Sequence, residues 1–101
     1  MENKQVKCGK LNISNANPFT LIAGPCQLES EKHALDVAGQ LKKITEKLDI
    51  GLIYKTSFDK ANRTSLKGKR GVGLQKSLPI FDQIRNDIGI PVLTDVHTVE
   101  Q

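Results

Sequence analysis

The sequence contains no tryptophan, and its aromatic residues number only four, three Phe and one Tyr. A chain of 101 residues with 38% hydrophobic content therefore has few large side chains for an independent core, and its length allows one modest domain at most. Cysteine is equally scarce. Cys8 and Cys26 are the two present, too few for a disulfide scaffold, and they read as reduced thiols. No apolar run approaches the roughly 20 residues that a membrane helix needs. No apolar stretch follows a basic start, as a secretory leader requires. These absences lead us to expect a cytoplasmic chain with no membrane contact. A sequence pI near 9.2 raises nucleic acid as a partner, but the basic residues lack the interleaved aromatics of a base-stacking surface, so no nucleic-acid partner is expected.

The positive charge is concentrated. Between Lys55 and Arg70 stand six cations (Lys55, Lys60, Arg63, Lys67, Lys69 and Arg70) against one anion, Asp59. That stretch carries +5, and the rest of the chain carries −1. The bland reading is a solvated charged surface. However, Ser57, Asn62, Thr64 and Ser65 alternate with the cations and add neutral hydrogen-bonding groups. Lysine supplies point charge for phosphate, arginine binds two oxygens at once, and Asp59 is placed to orient a lysine. The segment reads as a binding loop for phosphate or sugar phosphate.

The pattern around it is α/β. Val6-Lys7-Cys8 and Leu11-Asn12-Ile13, split by Gly9-Lys10, predict a small hairpin within an N-terminal extension over 1–18. The apolar run 19–23, stopped by Gly24-Pro25, predicts a buried strand. A helix is expected over about 30–48, with Ser30 as N-cap and Ala34, Leu35, Ala38, Leu41, Ile44, Thr45 and Leu48 on one face. A second strand covers 50–54, and the basic loop follows it. A second helix runs from the glycines at 71–73 to about 87, where Pro79 should kink it or shift its start and Gly89 should end it. A third strand covers 90–94. Strands apolar on both faces, separated by amphipathic helices, argue for a parallel sheet. A closed (β/α)8 barrel takes about 250 residues, so the expectation is the N-terminal portion of one such barrel: the hairpin and the first three strands.

Ligands of parallel α/β folds gather at the carboxyl ends of strands, and three polar clusters fall there: Gly24 to Ser30, Lys55 to Arg70, and Asp95-Val96-His97. Cys26 reads either as a small buried apolar group or as a ligand or nucleophile. A metal would need His or carboxylate partners, for which Asp95 and His97 are candidates, but no complete ligand set follows from spacing. Cys8 reads as structural and His33 as a surface residue. Gly68 to Gly73, GKRGVG, is neither a Walker loop nor a dinucleotide fingerprint. Its glycines allow a tight loop and entry into the next helix.

In these residues the sequence resembles the 3-deoxy-D-manno-octulosonate 8-phosphate synthases. The stretches that carry the resemblance are LIAGPCQLES at 21–30, YKTSFDKANRTS at 54–65, RGVGL at 70–74 and PVLTDVH at 91–97. It spans about 5–101 and takes in only the start of the family's barrel. The related 3-deoxy-heptulosonate phosphate synthases share the Gly-Pro-Cys element but carry an Arg-Thr-Ser-Pro type of loop where this chain has Asp-Lys-Ala-Asn-Arg. The resemblance implies a transferase of lipopolysaccharide biosynthesis that condenses phosphoenolpyruvate with D-arabinose 5-phosphate.

By matching position, the resemblance also implies residue roles. Lys55, Ser57 and Lys60 would hold phosphoenolpyruvate. Asn62, Arg63, Thr64 and Ser65 would contact the sugar phosphate. Lys60 and Asp95 would be catalytic, with His97 beside them. Cys26 matches the metal ligand of the family's metal-dependent branch, which implies a divalent cofactor of zinc, iron or manganese type with further ligands beyond residue 101. A homotetramer is implied as well. Thr64 stands where the family usually has Ser, Lys69 where an aromatic is common, and Val72 where Pro is. Lacking the rest of the barrel, the 101-residue chain is expected to be inactive alone, and a non-catalytic phosphate-binding or assembly fragment is the alternative.

Overall fold

The computed structural model describes residues 2–59 and 71–101. Strand β1 (Val6–Cys8) pairs antiparallel with β2 (Leu11–Ile13), with Val6 opposite Ile13 and Cys8 opposite Leu11. The turn between them uses Gly9 at φ +58°, a left-handed conformation that costs glycine little. Strands β3 (Thr20–Ala23), β4 (Gly51–Lys55) and β5 (Val92–Leu93) form a parallel sheet in sequential order. Helix α1 (Glu31–Leu48) connects β3 to β4, and α2 (Leu74–Gln83) precedes β5.

The expected N-cap of α1 is present. The Ser30 hydroxyl accepts the His33 backbone N–H at 3.1 Å, which satisfies one of the orphan donors of the first turn. Asp49 ends the helix in the left-handed region, and its N–H returns to Glu46 O at 3.2 Å. The α2 expectation needs two corrections. The helix runs through Pro79 without interruption from Leu74. Its irregularity comes one turn later, where Ile84–Ile88 widens into a π-helical turn closed by Gly89 N–H to Ile84 O at 3.0 Å. The third strand is also shorter than the expected 90–94, with ladder pairs only at Tyr54–Val92 and Lys55–Leu93. Pro91 has no N–H to give a ladder, but its carbonyl accepts from Tyr54 N at 2.9 Å.

Alternation along β4 divides the sheet into two faces. Leu52 and Tyr54 are buried in the core with Leu28, Ala34, Ala38, Ile80, Phe81, Ile84 and Ile90. Register places Ala23 and Val92 beside Tyr54 on this face. The opposite face carries Ile22, Ile53, Lys55 and Leu93. Ile22 is 55% exposed and Leu93 43%, so a second apolar layer is missing over part of that face among the described residues. The hairpin lies against the amino ends of the strands. Gly9 approaches Pro91, and the Leu11 side chain rests on Gly51.

Candidate active site

The carboxyl ends of β3 and β4 are fastened together beyond the regular ladder. Gln27 forms a parallel bridge with Ser57, and Leu28 N–H donates to Ser57 O at 2.8 Å. The Thr56 hydroxyl donates to Pro25 O at 2.8 Å. At Gly24 the two chains are so close that an added Cβ would stand 1.9 Å from the Lys55 carbonyl oxygen. Only a residue without Cβ fits there. The Gly-Pro-Cys turn therefore runs alongside Thr56 and Ser57, and Cys26 is exposed at this end of the sheet.

The polar residues of β4 and β5 meet at the same end. Lys55 Nζ stands 3.5 Å from Ser57 Oγ and 3.9 Å from Asp95 Oδ1. His97 Nε2 is 3.7 Å from Asp95 Oδ2. The Asp95 carboxyl is held below the usual carboxylate range, chiefly by the Ser57 hydroxyl, with the Lys55 and His97 charges adding to it against partial desolvation. Asp95 is therefore ionised at neutral pH. Its Oδ1 is out of solvent with no hydrogen-bond partner, and its nearest cation stands beyond hydrogen-bonding distance. Such an oxygen is an open acceptor for a donor supplied by a ligand.

Lys55, Ser57 and Asp95 thus form one cluster, with His97 at its edge and Cys26 on the adjoining turn. Lys60, Asn62, Arg63, Thr64 and Ser65, with Lys67, Lys69 and Arg70, lie outside the described residues. No group of three or more His, Cys, Asp and Glu side chains able to hold a metal is found among the described residues. Those residues do not form a metal site by themselves, and Cys26 offers a single sulfur donor.

Sequence reasoning missed the supports. Gly24 and Thr56 hold the β3 and β4 ends together. Phe58, 1% exposed, lies under His97 with ring centroids 5.6 Å apart. A buried aromatic inside a charged stretch was the available signal. A hollow of about 780 Å³ lies at the other end of the sheet, lined in part by Leu11, Lys42, Glu46, Arg85 and Pro91. It contains none of the clustered strand-end groups.

The chain is 58% identical over 99 residues to the 2-dehydro-3-deoxyphosphooctonate aldolase of Brucella anthropi, and equally so to those of Brucella ovis and Brucella abortus. These alignments take in 98% of this chain and 36% of each relative, so the chain spans about a third of the length of those proteins. No described helix is long and apolar enough to cross a membrane. The profile of the DAHP synthetase I family matches residues 2–101, and the chain belongs to that family.

Proposed function

We propose that these residues form the first part of a (β/α)8-barrel synthase that condenses phosphoenolpyruvate with D-arabinose 5-phosphate. The products are 3-deoxy-D-manno-octulosonate 8-phosphate, used in lipopolysaccharide assembly, and inorganic phosphate. The observation that carries the reading is the cluster of Lys55, Ser57 and ionised Asp95 at adjacent strand ends, in a chain 58% identical to 2-dehydro-3-deoxyphosphooctonate aldolases.

The chemistry suits that cluster. C3 of the enol ether attacks the sugar aldehyde, water adds at C2, and the phosphate group is released from the resulting tetrahedral carbon. Negative charge is present on the carboxylate and phosphate of the enol ether and develops on the aldehyde oxygen. Cations fixed in place stabilise such charge without reorganising at the moment of reaction. Lys55, Ser57 and Lys60 would hold phosphoenolpyruvate, and Asn62, Arg63, Thr64 and Ser65 the sugar phosphate. Asp95, with Oδ1 turned from solvent and unpartnered, would accept a hydrogen bond from a substrate hydroxyl. Lys60 and Asp95 are the proposed catalytic pair. Cys26 would give one thiolate to a divalent metal whose other ligands come from outside the described residues. Thiolate favours zinc or iron, with manganese the harder alternative. A tetrameric cytoplasmic enzyme completes the reading. The 101-residue chain alone, with Ile22 and Leu93 exposed on its sheet, would be inactive.

The test is phosphate release by the full-length protein carrying these residues. Turnover is expected with phosphoenolpyruvate and the five-carbon sugar phosphate, and it should stop on chelation and in Cys26→Ala. Preference for a four-carbon aldose phosphate would overturn the substrate assignment. Full activity after complete metal removal would overturn the role of Cys26.

A further inference from the structure

We propose that His97 is a positioning residue that ties the exit of β4 to the exit of β5 by donating from Nε2 to the Asp59 carbonyl. This extends the synthase reading and depends on it only for the kinetic part of its test.

The bond is short, 2.7 Å from Nε2 to Asp59 O. A carbonyl oxygen only accepts, so Nε2 must carry the proton. This holds for the neutral ring and for the imidazolium alike. The tautomer is therefore set by the fold, and the nitrogen nearest Asp95 has no lone pair with which to take a substrate proton. The groups facing the ring are Asp95 at 3.7 Å, the buried Phe58 ring at a 54° tilt, and Lys55 on the far side of Asp95. The His97 backbone N–H is itself fixed, donating to Gln101 Oε1 at 2.8 Å. Both protonation states of the ring donate from Nε2, so the tie does not depend on which of them is present.

The same stretch is held from a second direction. Gly73 N–H donates to the Phe58 carbonyl at 3.0 Å. Gly71, at φ +113°, passes so near that oxygen that an added Cβ would stand 2.4 Å from it. Two consecutive carbonyls, Phe58 and Asp59, are thus held by two different segments immediately after Ser57. Side chains that must meet a transferring group tolerate little displacement, because a misplacement of about 1 Å can cost ~100-fold in rate. His97 fixes the backbone from which the neighbouring Ser57 and Lys55 project.

Two measurements on the full-length protein test this. Ring-labelled histidine in long-range nitrogen–proton spectra, assigned by loss of the signal in His97→Gln, should show the Nε2–H tautomer above the titration of the ring. An Nδ1–H tautomer would overturn the proposal whether or not the protein is a synthase. Steady-state kinetics then compare His97→Gln, whose amide can still donate, with His97→Phe, which keeps the ring but not the donor. Gln should retain kcat/KM within about threefold with an unchanged pH profile, and Phe should lose ~10-fold or more. Equal loss in both variants, or disappearance of a pH limb in the Gln variant, would make His97 a base and end the proposal. Absence of turnover in the unsubstituted protein would count against the synthase reading alone and leave the tautomer result standing.

Discussion

At the amino ends of β4 and β5 the sheet meets Leu11 and Pro91, and at their carboxyl ends it meets Lys55, Ser57, Asp95 and His97. The amino end is closed by a hairpin that brings mainly apolar contact. The carboxyl end is fastened by backbone, with Gln27 bridging Ser57 and Thr56 donating to Pro25. The difference follows from what each end must tolerate. Apolar side chains at one end can shift and still exclude water. Charged groups that act on a ligand need a backbone that does not move. The proposed barrel would divide labour in this way, with stability at one face and chemistry at the other.

Two glycines give the sharpest way to break the comparison. At Gly24 an added methyl meets the Lys55 carbonyl at 1.9 Å, whereas at Gly51 the nearest atom is a Leu11 methyl at 2.9 Å. Backbone cannot step aside, but the tip of a leucine can. Gly24→Ala should destabilise by about 3 kcal/mol or more, and Gly51→Ala by under ~1 kcal/mol. Denaturant midpoints of the two variants in the full-length protein decide it, and equal losses would show that both ends are equally rigid.

A smaller effect is expected from Lys42, which anchors the amino end by donating from Nζ to Ile88 O at 2.6 Å, at the point where the π-helical turn leaves a carbonyl to be satisfied. Lys42→Met keeps the aliphatic stem and loses the bond. The cost should be about 1 kcal/mol, since the group is partly solvated. The nearby Glu46 carboxylate at 3.9 Å is exposed, and Glu46→Gln should change stability by under ~0.5 kcal/mol.

The last prediction sharpens the carboxyl end. Asp95 titrates below the usual carboxylate range, with Ser57 the leading cause and Lys55 a lesser one. Because the folded value is the depressed one, the contribution of the ionised group to stability is present above the unfolded value of about 3.9 and is lost as pH falls through the folded value. Carbon-detected titration of Asp95 should give a midpoint under that of a free aspartate. Ser57→Ala should raise it more than Lys55→Met does. The reverse order would place the ammonium, rather than the hydroxyl, as the main partner.

Much of the fold was legible because its signals are local. Ser30 before the stripe of Ala34, Leu35, Ala38, Leu41, Ile44, Thr45 and Leu48 announced α1 and its cap, although Ile44 and Leu48 on that stripe are exposed. Gly9-Lys10 announced the hairpin, and the apolar runs announced β3 and β4. The third strand was overextended because an apolar run shows β propensity but not how many residues find a ladder partner. Pro79 looked like a helix breaker, yet the irregularity fell at Ile84–Ile88, where the chain must turn toward β5. In the site, residue types at strand ends were readable for Lys55, Ser57, Asp95 and Cys26. The contacts of Gly24 and Phe58 were not, because they are made with residues distant in sequence.

The sequence by itself determined the order of helices and strands, which strand ends carry charge, and which family the chain belongs to. Those properties depend on residue type and short-range spacing. Only the tertiary structure decided that the Asp95 carboxyl shares a space with Lys55 and Ser57, that Gly24 must lack a side chain, and that His97 holds the Asp59 carbonyl. Each of these is a distance between segments tens of residues apart, set by strand register and packing, and no local pattern encodes such a distance.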